Sequence, residues 1–225
     1  MRLLDKLANM VYPAKCIFCR QLLNYDATLH ICSSCYAKLP FAAETLLKTS
    51  QDNRASYCDG VISIFRYSGM VKESLIRFKF YNKPGYCRTY ARLIAGRLAK
   101  MTDMTQYDIV LSVPLHRKRE LSRGYNQASL ISHFLSRELK LPECSGSLKR
   151  LKHTETQSLL DKQKRHDNIQ GAFIVKAPEN IKGKTILIVD DILTTGSTIE
   201  ECSRMLKQAG AVKIIAAVVA TGRKQ

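Results

Sequence analysis

The chain has 225 residues, 45% of them apolar, which allows one sizeable domain plus a small module and excludes a disordered or fibrous polymer. Its formal charge is +17, from 36 Lys and Arg against 19 Asp and Glu. That excess exceeds the ~2–8 of most small soluble domains and favours polyanions: nucleic acid, phosphorylated ligands or anionic lipid. No stretch approaches the ~20 consecutive apolar residues of a membrane-spanning helix.

Met1–Val11 carries Leu3, Leu4, Leu7 and Met10 at helical spacing, interrupted by Asp5 and Lys6. It reads as a short amphipathic docking helix and lacks the apolar core of an export signal. Four of the eight cysteines follow in two pairs, Cys16-Ile-Phe-Cys19 and Cys32-Ser-Ser-Cys35. Each pair can sit on a tight knuckle with both thiolates facing one ion, so structural Zn²⁺ is expected. Four protein ligands leave no open position for catalysis. His30 is near enough to replace a ligand, although a place behind the cysteines or on the surface suits it better. A module of residues 1–40 is too small to build a core alone, so metal is expected to drive its folding. Cys58, Cys87, Cys144 and Cys202 are scattered, as expected of reduced thiols in the cytoplasm.

Residues 41–60 are polar and mixed, and read as a connector with some helix. From residue 61 to 225, strands alternate with helices. Val61–Tyr67 alternates as a strand, Ser68-Gly69 turns it, and Val71–Phe80 has helical spacing. Asn82–Gly85 is a turn, and Tyr90–Ala99 is a helix with Leu93, Ile94 and Leu98 inward. Tyr107–Val113 is a strand ended by Pro114, and Tyr125–Leu139 is a helix. Ile174-Val175 and Val212–Val219 are further strands. The alternation predicts an α/β domain with a mostly parallel sheet flanked by helices. Within residues 61–90, Arg77, Lys79, Lys83 and Arg88 interleave with aromatic side chains. Such a surface could track a single-stranded backbone and stack its bases. The plainer reading puts Phe65, Phe78 and Phe80 in the core.

Two loops follow strands and carry phosphate chemistry. The first is Ser112–Arg119, where Arg117 and Lys118 suit phosphate oxygens. In the second, Ile186–Val189 reads as a buried strand with Asp190 and Asp191 at its C-terminal end. Thr194-Thr195-Gly196-Ser197-Thr198 then turns into a helix over Ile199–Gly210. A ligand site is expected at such a junction. The hydroxyls and helix N-terminus suit a phosphate; the acids suit ribose hydroxyls or a hydrated Mg²⁺. A helix cap needs one such residue, not two acids and four hydroxyls.

This run resembles the phosphoribosyl-pyrophosphate (PRPP) motif of type I phosphoribosyltransferases. The resemblance implies that Asp190 and Asp191 hold the ribose hydroxyls with Mg²⁺ and serve the catalytic step. Thr194, Thr195, Gly196, Ser197 and Thr198 would wrap the 5′-phosphate, and Arg117 and Lys118 would meet the pyrophosphate. A flexible loop around Arg119–Arg123 would close over the site, and His116, His153 and His166 are candidate proton carriers. Thr194 stands where purine-salvage relatives carry an acid that acts on the base, and a hydroxyl is no base at pH 7 without activation. Four spaced motifs extend the resemblance: Pro114-x₈-Arg123-Gly-Tyr-Asn-Gln127; Arg150-x₃-Thr154-x₂-Gln157; Arg165-x₂-Asn168-x₂-Gly171-Ala-Phe173; and Val189-Asp-Asp-x₂-Thr-Thr-Gly-Ser-Thr198. With the four-cysteine module, this series resembles the ComF (competence protein F) family. The family implies a cytoplasmic factor of natural transformation that handles incoming single-stranded DNA beside a helicase-like partner, reaching the inner face of the membrane through partners. Arg123, Arg77, Lys79, Lys83 and Arg88 are then candidate loop or DNA contacts. Two alternatives are a nucleotide-salvage phosphoribosyltransferase with zinc as a staple, and a PRPP-sensing regulator.

Overall fold

Runs of Ile, Val and Ala, buried along nearly their whole length, set the architecture of this computed structural model. It describes residues 13–24, 26–47, 56–152 and 169–223. The predicted N-terminal helix, His153, Thr154, Gln157, His166, and the Arg165 and Asn168 of the third motif lie outside the described residues. The strands are β1 (Gly60–Arg66), β2 (Ile109–Ser112), β3 (Leu148–Arg150), β4 (Phe173–Val175), β5 (Thr185–Leu193) and β6 (Lys213–Thr221). The helices are α1 (Ser33–Tyr36), α2 (Gly69–Phe80), α3 (Tyr86–Met101), α4 (Arg117–Arg123), α5 (Gln127–Leu139) and α6 (Ser197–Gln208).

Four strands form a parallel sheet in the order β1-β6-β5-β2. Alternate residues of β5 serve opposite faces. Leu187 and Val189 pack with Ile215, Ala217 and Val219 of β6 under α2, α3 and α5. Ile186 and Ile188 pack with Ile214, Ala216 and Val218 under α6 and β4. Covering on both faces explains why these strands read as continuous apolar runs. The sheet is the α/β, mostly parallel and helix-flanked one that the alternation predicts. Among the described residues, no helix is long and apolar enough to cross a membrane.

Several local readings change. The strand through Ile186–Val189 continues to Leu193, because β6 pairs with it as far as Thr221. Both acids therefore lie within the strand and not beyond its end. Ile174-Val175 belongs to β4, which forms a separate antiparallel ribbon with β3 and does not join the main sheet. The connector is extended where it is described: Phe41 bridges to Phe65 and Leu47 to Val61. Its backbone donors and acceptors thus cap the outer edge of β1. Phe80 is 63% exposed at the end of α2, while Phe65 and Phe78 are fully buried as expected. The loop expected over Arg119–Arg123 is helical: His116 accepts a bond from the Lys118 N–H at its start, and left-handed Gly124 (φ +82°) ends it.

Among the described residues, the cysteine module adds to the core under α2 and forms no separate cluster. Cys16, Ile17, Phe18, Cys35 and Leu39 join the cluster that includes Ile62, Ile64, Phe65, Leu75 and Phe78. The Phe18 ring meets Phe65 edge-on, with centroids 6.1 Å apart.

Candidate functional site

Two knuckles bring the four cysteines together. At the first, the Arg20 N–H bonds back to the Cys16 carbonyl at 2.9 Å, and Arg20 takes a left-handed conformation (φ +68°). At the second, Cys32 precedes α1, which carries Cys35. The four sulfurs lie within 4.8 Å of one another, Cys19 and Cys32 at 3.6 Å. Four sulfurs bound tetrahedrally to Zn²⁺ at ~2.3 Å would stand about 3.8 Å apart. The donors therefore fit a metal ion such as zinc with little rearrangement. The Ser34 hydroxyl, 3.2 Å from Cys32 Sγ, brings that thiol down to about 6, whereas burial pushes Cys35 up. His30 is not in the cluster; its carbonyl accepts from the Ile17 N–H. Burial, then the charges of Arg92 and Arg88, lower the His30 pKa.

Helix α2 fastens this module to the sheet. Arg77 donates through Nη2 to the carbonyls of Ile17 (3.0 Å) and Phe18 (2.7 Å), and Ser74 Oγ donates to Ile17. Arg77 stands among the candidate DNA contacts in sequence; in the fold its guanidinium holds the first knuckle.

The second candidate site lies where β5 runs into α6. Because side chains alternate along a strand, Asp190 continues the Ile186/Ile188 face and Asp191 the Leu187/Val189 face. Asp191 is buried and pairs with Lys79 Nζ of α2 at 2.9 Å. Asp190 looks toward α6 and β3, where Arg150 and Cys202 feel its charge. Its Oδ1 accepts from the Asp191 N–H at 2.8 Å. Burial first, then the Asp191 charge, raise Asp190 to about 7, opposed by Lys79 and Arg150.

Beyond Leu193 the loop turns at Gly196, whose φ of +86° favours glycine. Thr195 Oγ1 and Ser197 Oγ lie 3.1 Å apart, Thr195 Oγ1 accepts from the Ser197 N–H at 3.5 Å, and the N-cap of α6, Gly196, has no side chain to cap it. A helix N-terminus that follows a glycine suits an anion. Arg223 braces the loop from behind: Nε donates to the Thr194 carbonyl at 3.1 Å and Nη2 to the Thr195 carbonyl. Gly222 N–H bonds the Leu193 carbonyl at 2.9 Å. The loop's carbonyls are in this way drawn toward the end of β6.

The Arg117/Lys118 loop starts at the same sheet edge. Ser112 is in register with Val189, and Val113 N–H bonds the Val189 carbonyl. Both basic side chains are exposed on α4, one residue past the sheet-side loop. Arg123 lies over the Phe80 ring, 5.1 Å from its centroid, and donates to Gln127 Oε1 at 3.2 Å. The Gly-Tyr-Asn that follows is a joint. Tyr125 OH donates to the Phe78 carbonyl and accepts from Lys83 N–H, and Asn126 caps α5 while its Nδ2 donates to the Val113 carbonyl.

Sequence reasoning places Lys79 on a DNA-facing stretch and gives Arg223 and Arg150 no place at the acids. Nothing in the spacing links Lys79 to Asp191, since the two meet only through the packing of α2 on the sheet. Arg223 had a faint signal: a Thr-Gly-Arg run just after a strand in register with β5.

A family model described as "Phosphoribosyl transferase domain" matches residues 126–225. The chain is similar to "DNA utilization protein YhgH" of Shigella flexneri, 29% identical over 68% of this chain and 68% of that one. It is similar to "Competence protein ComFC" of Bacillus subtilis, 28% identical over 87% and 78%. It is 34% identical to "Competence protein F" of Haemophilus influenzae, over 89% of this chain and 93% of the relative. Identity sustained over nearly the whole of both chains, with a phosphoribosyltransferase domain behind a four-cysteine cluster, places the protein in the competence protein F family.

Proposed function

We propose that the chain serves natural competence by handling single-stranded DNA in the cytoplasm, and that it binds PRPP or a related ribose phosphate where β5 meets α6. The names of its relatives support the process, and the +17 charge supports a polyanionic partner. One observation carries the ligand reading: a central strand that holds two adjacent acids runs into a hydroxyl-rich loop, a left-handed glycine and a helix N-terminus. In this reading Asp190 and Asp191 take the ribose hydroxyls, Thr194–Thr198 the 5′-phosphate, and Arg117 and Lys118 the pyrophosphate. Asp190 and Asp191 would hold a Mg²⁺ brought by the ligand, which would neutralise charge there. Lys79 holds Asp191 until then and must share or release it. Zinc at Cys16, Cys19, Cys32 and Cys35 is structural, and a helicase-like protein is the partner in DNA handling.

Thr194 supports a second reading, binding without turnover, because it offers no general base where purine-salvage enzymes need one. Calorimetry with PRPP and Mg²⁺ tests the site. Saturable binding by the wild type and none by a folded Asp190→Asn/Asp191→Asn variant is expected. A wild type that releases no heat with PRPP refutes the ligand reading. Pyrophosphate release on adding a nucleobase would favour turnover.

A further inference from the structure

A groove of about 520 Å³ separates the cysteine module from the turn that joins α2 to α3. Lys15 and His30 line it from the module. Lys83, Tyr86 and Arg88 line it from the turn and the start of α3, and Phe134 from α5. No acidic residue is in the lining. Among the described residues, Lys15, Lys83 and Arg88 are exposed and enter none of the ion pairs. Three unneutralised cations around one concavity repel each other, and an anion relieves that repulsion.

The groove also has flat apolar walls. Tyr86 and Phe134 are half-buried. The Arg88 guanidinium lies 5.0 Å over the Phe134 ring, and the Tyr86 ring stacks on Phe78 at 6.5 Å and 24°. The backbone of the turn is fixed: Lys83 N–H bonds Tyr125 OH, Tyr86 N–H bonds the Lys83 carbonyl, and Cys87 N–H bonds the Pro84 carbonyl. The walls are therefore set in advance and only the basic tips must adjust, which limits the entropy lost on binding. Cations that flank aromatic faces in a preformed groove match the two parts of a nucleotide: the phosphate and the base. An acidic peptide would use the cations and leave the rings idle.

We infer that this groove, apart from the junction of β5 and α6, binds single-stranded polynucleotide. Lys15, Lys83 and Arg88 hold successive phosphates, and a base stacks on Tyr86 or on the Arg88–Phe134 pair. The inference rests on the proposed role in DNA handling and gives that role a place.

Fluorescence anisotropy of the full chain with a labelled oligothymidylate, over a salt series, tests it. A triple variant, Lys15→Ala/Lys83→Ala/Arg88→Ala, should weaken binding about 100-fold and reduce the salt slope by about 2, because each single-strand phosphate contact contributes roughly 0.7. Tyr86→Leu should weaken binding about tenfold and leave the slope unchanged, as a stacking contact does. Thermal unfolding of each variant checks that the fold survives. If the folded triple variant binds as the wild type does, the groove is not the site, although DNA handling stands. If the wild type binds no oligonucleotide, both readings fall. If oligoglutamate displaces the oligonucleotide while Tyr86→Leu changes nothing, the groove is a peptide site and the inference is wrong.

Discussion

Asp190 is a carboxyl lifted to about 7 by burial and by the charge of Asp191. Between its ordinary value near 3.8 and about 7, the folded chain holds this proton more tightly than the unfolded chain does. Stability contributed by Asp190 therefore falls as pH rises through that window, by about 4 kcal/mol at its end. Asp190→Asn should flatten this slope, raising Tm more at pH 8 than at pH 5, as calorimetric scans would show. An unchanged slope would remove Asp190 from this role. Lys79→Met leaves Asp191 buried and unpaired, which should cost about 2 kcal/mol, and Asp191→Asn in the same chain should recover most of it. A double-mutant cycle by chemical denaturation measures the coupling. At this scale the acids and the hydroxyl-rich loop were legible, because few folds place those residue types together. Lys79 was not, because a charged residue on a helix reads as solvated until the packing of that helix on the sheet is known.

Between elements, the joint at Gly124-Tyr125-Asn126 connects three pieces: the end of β2, the end of α2 and the start of α5. Tyr125→Phe removes the hydroxyl shared by Phe78 and Lys83. It should lower unfolding free energy by about 1–2 kcal/mol with the sheet intact. Gly124→Ala meets no neighbouring atom, so its cost of about 1–2 kcal/mol comes from the left-handed backbone alone. Urea unfolding separates these variants from the wild type; no change in Tyr125→Phe would mean that water replaces the hydroxyl without loss. Strands and long helices were legible from apolar periodicity, with ends off by a few residues. The α4 turn was misread as a loop because its seven residues include one large apolar side chain, Leu121, which is 73% exposed. Ile174-Val175 of β4 was read as a strand, but β3 and its pairing with β4 escaped because three-residue strands show no period.

Over the whole molecule, the described part of the cysteine module packs into the cluster beneath α2, α3 and α5. Removing metal from the cysteine cluster should therefore lower the stability of the entire chain and not release a separate module. Chelator-treated protein should unfold in one transition at a lower Tm, with α2 losing hydrogen-exchange protection through the Ser74 and Arg77 anchors. Two separate transitions would show independent units instead. The sheet order has a consequence for synthesis. Strand β6 follows every other described strand in the chain and lies between β1 and β5. Until residue 221 has left the ribosome, β1 has no partner on its inner edge and α2 has no completed floor. The chain must wait on this strand, so its loss by an early stop separates β1 from the β5–β2 pair, however intact the cysteines and the acids before it.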